Sequence, residues 1–338
     1  MKNISLIFLL TLALASCTQQ NKSSQQKTNE PNKDLNRVFD DYYEERLKYF
    51  PLEATSIGDN RYNDQLPVEI ADSYREKLKT FYQNYLNEAK RFDRDSLSGE
   101  DVLSYDMFKR EMEMQIEGLG FHDNLMPINQ FWSMPLTFGQ LGSGSGNQPF
   151  KTVKDYDDFL KRIDGFVAYA DTSIVNMKRG MEMGVTPPKL LMERVLPQLK
   201  AMDVKDIKQS VFYGPIKNLP STFSNDDQTR LTDAYTKAII EKVTPSYMKL
   251  YNFIKNEYIP KCRTTHGISD IPNGKEYYAY EAKFWTTTNL TPDEIYAIGE
   301  KEVARLKSEM EKVKDETGFK GDLKAFFKYI HTDAKFMP

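Results

Sequence analysis

Residues 273–314, NGKEYYAYEAKFWTTTNLTPDEIYAIGEKEVARLKSEMEKVK, decide the fold class. Thr291 followed three residues later by Glu294 forms a capping box, Pro292 takes the first helical position, and Asp293 and Glu294 sit at the positive end of the helix dipole. Ile295, Gly299, Val303, Leu306, Met310 and Val313 then recur every three or four residues, and Gly318 supplies a C-cap. The spacing predicts a long amphipathic helix starting near Thr291. Upstream, Tyr278, Ala282 and Trp285 at i, i+4 and i+7 predict a second helix from Gly274 to Trp285, with Thr286 to Asn289 as connector. An aromatic cluster followed by small polar residues fits a polar lip beside the aromatic wall of a cleft. It fits equally a packed helix pair bridged by threonines.

The same 3.6-residue period runs through the rest of the chain. Leu35, Val38, Phe39 and Tyr42 mark a helix that must end before Pro51; Ile70, Tyr74, Phe81 and Tyr85 mark a second, from about Pro67. Ser98 with Asp101 resembles a cap for a third, whose stripe from Val102 to Leu119 stops at Gly120. Thr152 with Asp155 caps a helix expected to reach Met183, with a weak point near Gly165 and a stop at Gly184. Thr186-Pro187-Pro188 opens the next, kinked by Pro197; Ser224 with Asp227 opens another, interrupted at Pro245 and stopped at Pro260. A last helix over Asp322 to Thr332 carries Leu323, Phe326, Phe327 and Ile330 on one face, with no later element to cover it. No alternating strand pattern exceeds four residues. The expectation is an all-α fold of predominantly antiparallel helices. One long irregular Gly-rich loop, Phe121 to Phe150, breaks it, with Phe131, Trp132, Leu136 and Phe138 packed beneath.

The chain has 338 residues, 40% hydrophobic and 28% charged, enough for a sizeable core. A net charge of −3 offers no general attraction for nucleic acid. Residues 1–17 combine Lys2, an apolar run from Ile4 to Ala15 and the ending Leu14-Ala15-Ser16-Cys17, a signal peptide of lipoprotein form. Cys17 is the expected lipid attachment, holding the protein to a membrane through its acyl chains. With Cys17 lipidated, Cys262 has no disulfide partner. Residues 18–32 read as a flexible tether and 33–338 as a helical domain. Without an acidic residue at Thr18, the expected location is the outer membrane, facing the periplasm, as in lipoproteins generally.

Motifs for chemistry are sparse. His122, His266 and His331 are dispersed, and none is followed by Glu, so no zinc-hydrolase helix is present. The glycines of Gly139 to Gln148 lack the Lys of a phosphate cradle, and Gly144 stands where a nucleophile elbow needs Ser. Ser246 with Lys249 matches a serine–lysine pair by spacing alone.

Gly274, Tyr277, Tyr278, Thr286, Thr287, Leu290 to Ile295, Gly299, Glu302, Val303 and Arg305, in this order, resemble the bacterial "domain of unknown function 885" family. Further matches are Pro51 to Tyr62 (PLEATSIGDNRY), Tyr156 to Ile163 (YDDFLKRI) and Gly180 to Leu191 (GMEMGVTPPKLL). Tyr296 departs from the pattern, standing where the family has a His. The resemblance implies a helical metallopeptidase-like fold, with bound zinc and hydrolysis of peptides or related amides by a His-Glu-x-x-Pro-Gly-His segment in the C-terminal half. No residue here matches that segment. The chain is therefore expected to be incomplete at its C-terminus, without catalytic, cofactor-binding or metal residues of its own, zinc belonging to the full-length fold. Tyr277, Tyr278, Thr286 and Thr287, in the best-matching stretch, are the candidates for a substrate cleft. The competing class is a non-catalytic glycan- or peptide-binding lipoprotein, for which the 20 Tyr and 20 Phe would serve stacking.

Overall fold

A computed structural model describes residues 31–337; the leader, Cys17 and most of the expected tether lie outside the described residues. Among the described residues every regular element is helical, and the one bridge pairing is isolated, between Pro188 and Arg263. The helices in order are α1 Lys33–Tyr49, α2 Pro51–Ser56, α3 Asp72–Ala89, α4 Glu100–Gly118, α5 Met134–Gly142, α6 Val153–Met183, α7 Lys189–Lys200, α8 Gly214–Lys217, α9 Asn225–Ala238, α10 Thr244–Phe253, α11 Gly274–Thr286, α12 Pro292–Glu316 and α13 Leu323–Thr332. None is long and apolar enough to cross a membrane.

The organising element is α6. Thr152 and Asp155 make the capping box, and Gly184 closes the helix with φ +72°. Its 31 residues, about 46 Å at 1.5 Å per residue, run without interruption. Gly165 is no weak point: a Cβ there would lie 2.4 Å from the Leu66 carbonyl, so its bareness lets the chain before α3 lie against the helix. Tyr156, Phe159, Ile163, Phe166, Ala170 and Met177 form the buried stripe. Phe138 of α5 stacks on Phe166 at 4.3 Å between ring centres and on Phe159 at 5.3 Å. Helices α7, α9 and α10 complete this main core. Asp157, Asp164 and Asp171, seven apart on α6, pair with Arg230, Lys242 and Lys249. These exposed pairs mark the register of α9 and α10 along α6 and add little energy.

A smaller aromatic core lies among α1, α3 and α4, where Tyr42 stacks on Phe81 at 5.4 Å and meets Phe108 edge-on at 5.1 Å. Asn32 joins this unit: its side chain accepts from Leu35 N, and its own N–H donates to Asp101 Oδ2 at 2.7 Å. Asp101 therefore holds the start of α1, and Gly99, at φ +58°, is the N-cap of α4.

Two stretches differ from expectation. Within the Gly-rich stretch, Met134–Gly142 is helical. Gly142 is bare because Phe212 and Phe159 occupy the space of its Cβ, and Gly146 because the Gln140 carbonyl does. Phe138 is buried as expected, but Phe131 and Trp132 project into solvent instead of packing beneath. At Pro245 the helix continues: the π turn Ile239–Val243 precedes it, and a second π turn, Ile254–Tyr258, precedes Pro260. A proline ring collides with the carbonyl four residues back; those carbonyls belong to Glu241 and Asn256, inside the widened turns.

Candidate functional site

The aromatic and threonine segment is placed in pieces. Tyr277 turns inward: its ring stacks on Phe121 at 5.0 Å and joins Leu125, Val185 and Ile271, and burial raises its hydroxyl pKa. It is the joint by which α11 is held to the body. Tyr280, not singled out by the sequence, shares that role, donating to Met114 O at 3.0 Å and filling the space a side chain at Gly118 would need. Tyr278 is half exposed. Thr286 and Thr287 lie nine residues on from Tyr277 and Tyr278, about 13 Å along the axis, so the four do not form one cluster.

Thr286 donates to Ala282 O at 2.7 Å and shares a 2.9 Å hydrogen bond with Thr288, closing the helix end. Thr287 caps α11 with φ +57°, a left-handed conformation unfavourable for a β-branched residue. It also edges an apolar groove of about 610 Å3 with Phe39, Met107, Phe108, Arg110 and Glu111. Arg110 reaches across to donate to Lys283 O at 2.7 Å, placing a cation on the negative end of α11. Of the four candidates, it is Thr287 that edges this groove.

Beyond this connector, α12 forms as its capping box dictates, with Thr291 Oγ1 accepting from Glu294 N and the Glu294 carboxylate accepting from Thr291 N. Yet no residue of α12 is buried. Tyr296, Val303, Leu306, Met310 and Val313 are all exposed, Val303 at 68%. They continue with Gly299 in steps of three and four, a seam of coiled-coil spacing. In α13, Phe326 is covered by Phe319 and Tyr329, so the expected bare face is partly closed by its own turn, while Phe327 stays exposed.

A second cavity, of about 510 Å3, opens between the ends of α1 and α3, the 121–134 chain and α6. Its charged members are Glu69, Arg75 and Asp123, with Asn124, Thr137 and Tyr169 as neutral polar neighbours; Phe50, Met134 and Trp132 are prominent in its apolar wall. Arg75 Nη2 pairs with Asp123 at 2.8 Å and donates to Phe121 O at 2.8 Å and Leu119 O at 3.2 Å. Glu69 makes no hydrogen bond or ion pair with the described residues. Desolvation by the surrounding walls, and then Asp123, raise its carboxyl pKa. Trp132, 86% exposed, stands at the rim on a turn where Asn129 Oδ1 accepts from Phe131 N and Trp132 N. The sequence signal for this site is one carboxylate inside an apolar run, Leu66-Pro67-Val68-Glu69-Ile70.

The other motif segments meet through one side chain. Arg162, fully buried within YDDFLKRI, donates to Pro51 O, Thr55 Oγ1 and Tyr62 O of the PLEATSIGDNRY segment. It donates further to Gln65 O and Gln148 Oε1. Burial pulls its pKa down to about 10, with Asp158 and Asp64 opposing. In the GMEMGVTPPKLL segment, Arg263 Nε donates to Thr186 O at 2.9 Å, binding the segment to the chain after α10. Both segments have a structural purpose. Among the described residues no three His, Cys, Asp or Glu side chains gather as a metal site would require.

An all-helical protein with a cleft on its body and an uncovered C-terminal helix face is the class that fold and site define. The chain belongs to the bacterial proteins of unknown function DUF885, whose sequence model matches residues 51–338. Two solved structures share the fold. A predicted lipoprotein from Colwellia psychrerythraea superposes with a TM-score of 0.72 at 17% identity, over 89% of this chain and 54% of that one. A predicted lipoprotein of unknown function from Shewanella oneidensis superposes with a TM-score of 0.61 at 15% identity, over 86% of this chain and 50% of that one. The chain thus spans about half the length of either structure. No curated protein matches it.

Proposed function

We propose that this chain is the non-catalytic half of an envelope-anchored, metallopeptidase-like hydrolase, and that its α12 face and Thr287 groove receive a second helical half that brings the chemistry. The supporting observation is α12, a 25-residue capped helix whose apolar seam is exposed along its length. Covering such side chains is worth about 1.5–3 kcal/mol each, a strong drive for a helical partner face. Solved relatives about twice as long agree with such a partner. The histidines 122, 266 and 331 do not supply a zinc ligand set, so no step of zinc chemistry is assigned to these residues. Peptides or related amides are the substrate class implied by the family resemblance, and lipidation of Cys17 gives the anchorage.

The test compares the 338-residue chain with the same chain extended to the next in-frame stop of its genomic locus, or co-expressed with the neighbouring reading frame. The short chain is expected to self-associate and bind a hydrophobic dye. The completed one should be monomeric, hold stoichiometric zinc and cleave peptides. A monomeric, dye-silent short chain would overturn the proposal. In the same preparations Cys17→Ser should release the protein from the membrane fraction; retention would refute the anchor.

A second reading, a binding lipoprotein without catalysis, is supported by the Glu69 cleft and requires this chain to take up ligand unaided.

A further inference from the structure

The cleft at Glu69 has an unbalanced charge. Asp123 and Arg75 neutralise one another, and the guanidinium is further committed to two backbone carbonyls, Leu119 and Phe121. The Asn124 amide is likewise engaged, donating to Ile70 O at 3.2 Å and Asp72 Oδ1 at 3.1 Å. No lysine lines the cavity. Glu69 is therefore left as one carboxylate without an internal cation, accessible to solvent on the wall of a cavity that Phe50, Met134 and Trp132 also line. Accessible and unpaired, it is free to meet a cation that enters the cavity. Trp132, the aromatic ring best suited to a cation, lines the same cavity, largely exposed and with its backbone fixed by Asn129. A volume of about 510 Å3 is in the range of small-molecule sites.

We propose that this cleft binds a primary ammonium group carried on an apolar or aromatic body, the chemistry presented by the N-terminal residue of a peptide. The ammonium meets Glu69, the body lies against Phe50 and Met134, and Trp132 closes over it. The site is complete within this chain and does not depend on a second half docking at α12.

Trp132 reports on its own occupancy. Of the two tryptophans, Trp285, near the end of α11, is not among the residues lining this cleft, and Trp285→Phe leaves Trp132 as the single emitter. In that background, titration with phenethylamine at pH 7.5 is expected to give a saturable blue shift as the exposed ring is covered. N-acetylphenethylamine, of like shape and no charge, should bind at least tenfold more weakly, and Glu69→Gln should weaken phenethylamine at least tenfold while leaving the circular dichroism unchanged. Equal binding of the two ligands, full affinity in Glu69→Gln, or no saturable shift would each overturn the proposal. Should Glu69→Gln disturb the spectrum, the comparison of the two ligands on the unaltered carboxylate decides alone.

Discussion

Helices α6 and α12 begin in the same way and end differently. Each opens with a capping box, Thr152 with Asp155 and Thr291 with Glu294, and each carries apolar residues every three or four positions. In α6 that stripe is the centre of the main core; Phe159, Ile163, Phe166 and Ala170 are wholly buried. In α12 the corresponding stripe lies open. Local sequence thus determines that a helix forms and which of its faces is apolar. Whether that face is buried depends on what lies opposite, and nothing in the helix itself encodes it.

Large-to-small substitutions give the sharpest contrast. Phe166→Ala should cost about 3–5 kcal/mol in denaturant unfolding, since Phe138 and Tyr247 pack against the ring and cannot fill the void. Met310→Ala, on the open seam, should change stability by less than about 0.5 kcal/mol. Similar losses at both positions would mean that α12 is covered in solution, and the comparison would fail.

A smaller effect is expected where the two regions join. Thr287→Gly removes a left-handed β-branched residue at the end of α11, and should raise stability by about 0.5–1 kcal/mol after the entropy lost by glycine is counted. A thermal melt showing destabilisation would indicate that the Thr287 side chain earns its conformation through contacts in the groove.

The smallest effect is a pH dependence on the body. Crowding by the cleft walls, which still leave Glu69 accessible, and the Asp123 carboxylate raise the Glu69 carboxyl pKa, so the fold holds that proton to a higher pH than the unfolded chain does. Its stabilising contribution is present at acid pH and is lost as pH rises through the folded value. Glu69→Gln should therefore raise the melting temperature at pH 7 and leave it unchanged near pH 4; a gain equal at both pH values would refute the assignment.

Much of the fold was legible because its signals are local. Thr152, Gly184, Thr291 and Gly318 act within one helical turn of themselves, and the elements they bound appear where the spacing places them. The misreadings share a different cause. Gly142, Gly146 and Gly165 read as flexibility, yet each is bare because a distant ring or carbonyl fills the space of its Cβ. Pro245 read as an interruption because π turns have no signature in the periodicity. Trp132 read as core because hydrophobicity alone does not separate a packed ring from one held out at a cavity rim. Glu69 passed unnoticed among 49 acidic residues, since its character comes from Phe50, Asp123 and Trp132, which lie far from it in sequence.

Arg162 has a consequence for how such a chain holds together without covalent help. Its bonds to Pro51, Thr55, Tyr62 and Gln65 join segments 97 to 111 residues apart in the chain. Among the described residues the single cysteine, Cys262, is unpaired, so no sulfur bridge shares that task. One guanidinium ties these segments together in the folded state by hydrogen bonds, which, unlike a disulfide, leave the unfolded chain unconstrained. Its closure needs neither an oxidant nor an isomerase, and the clamp forms alike in reducing and oxidising surroundings.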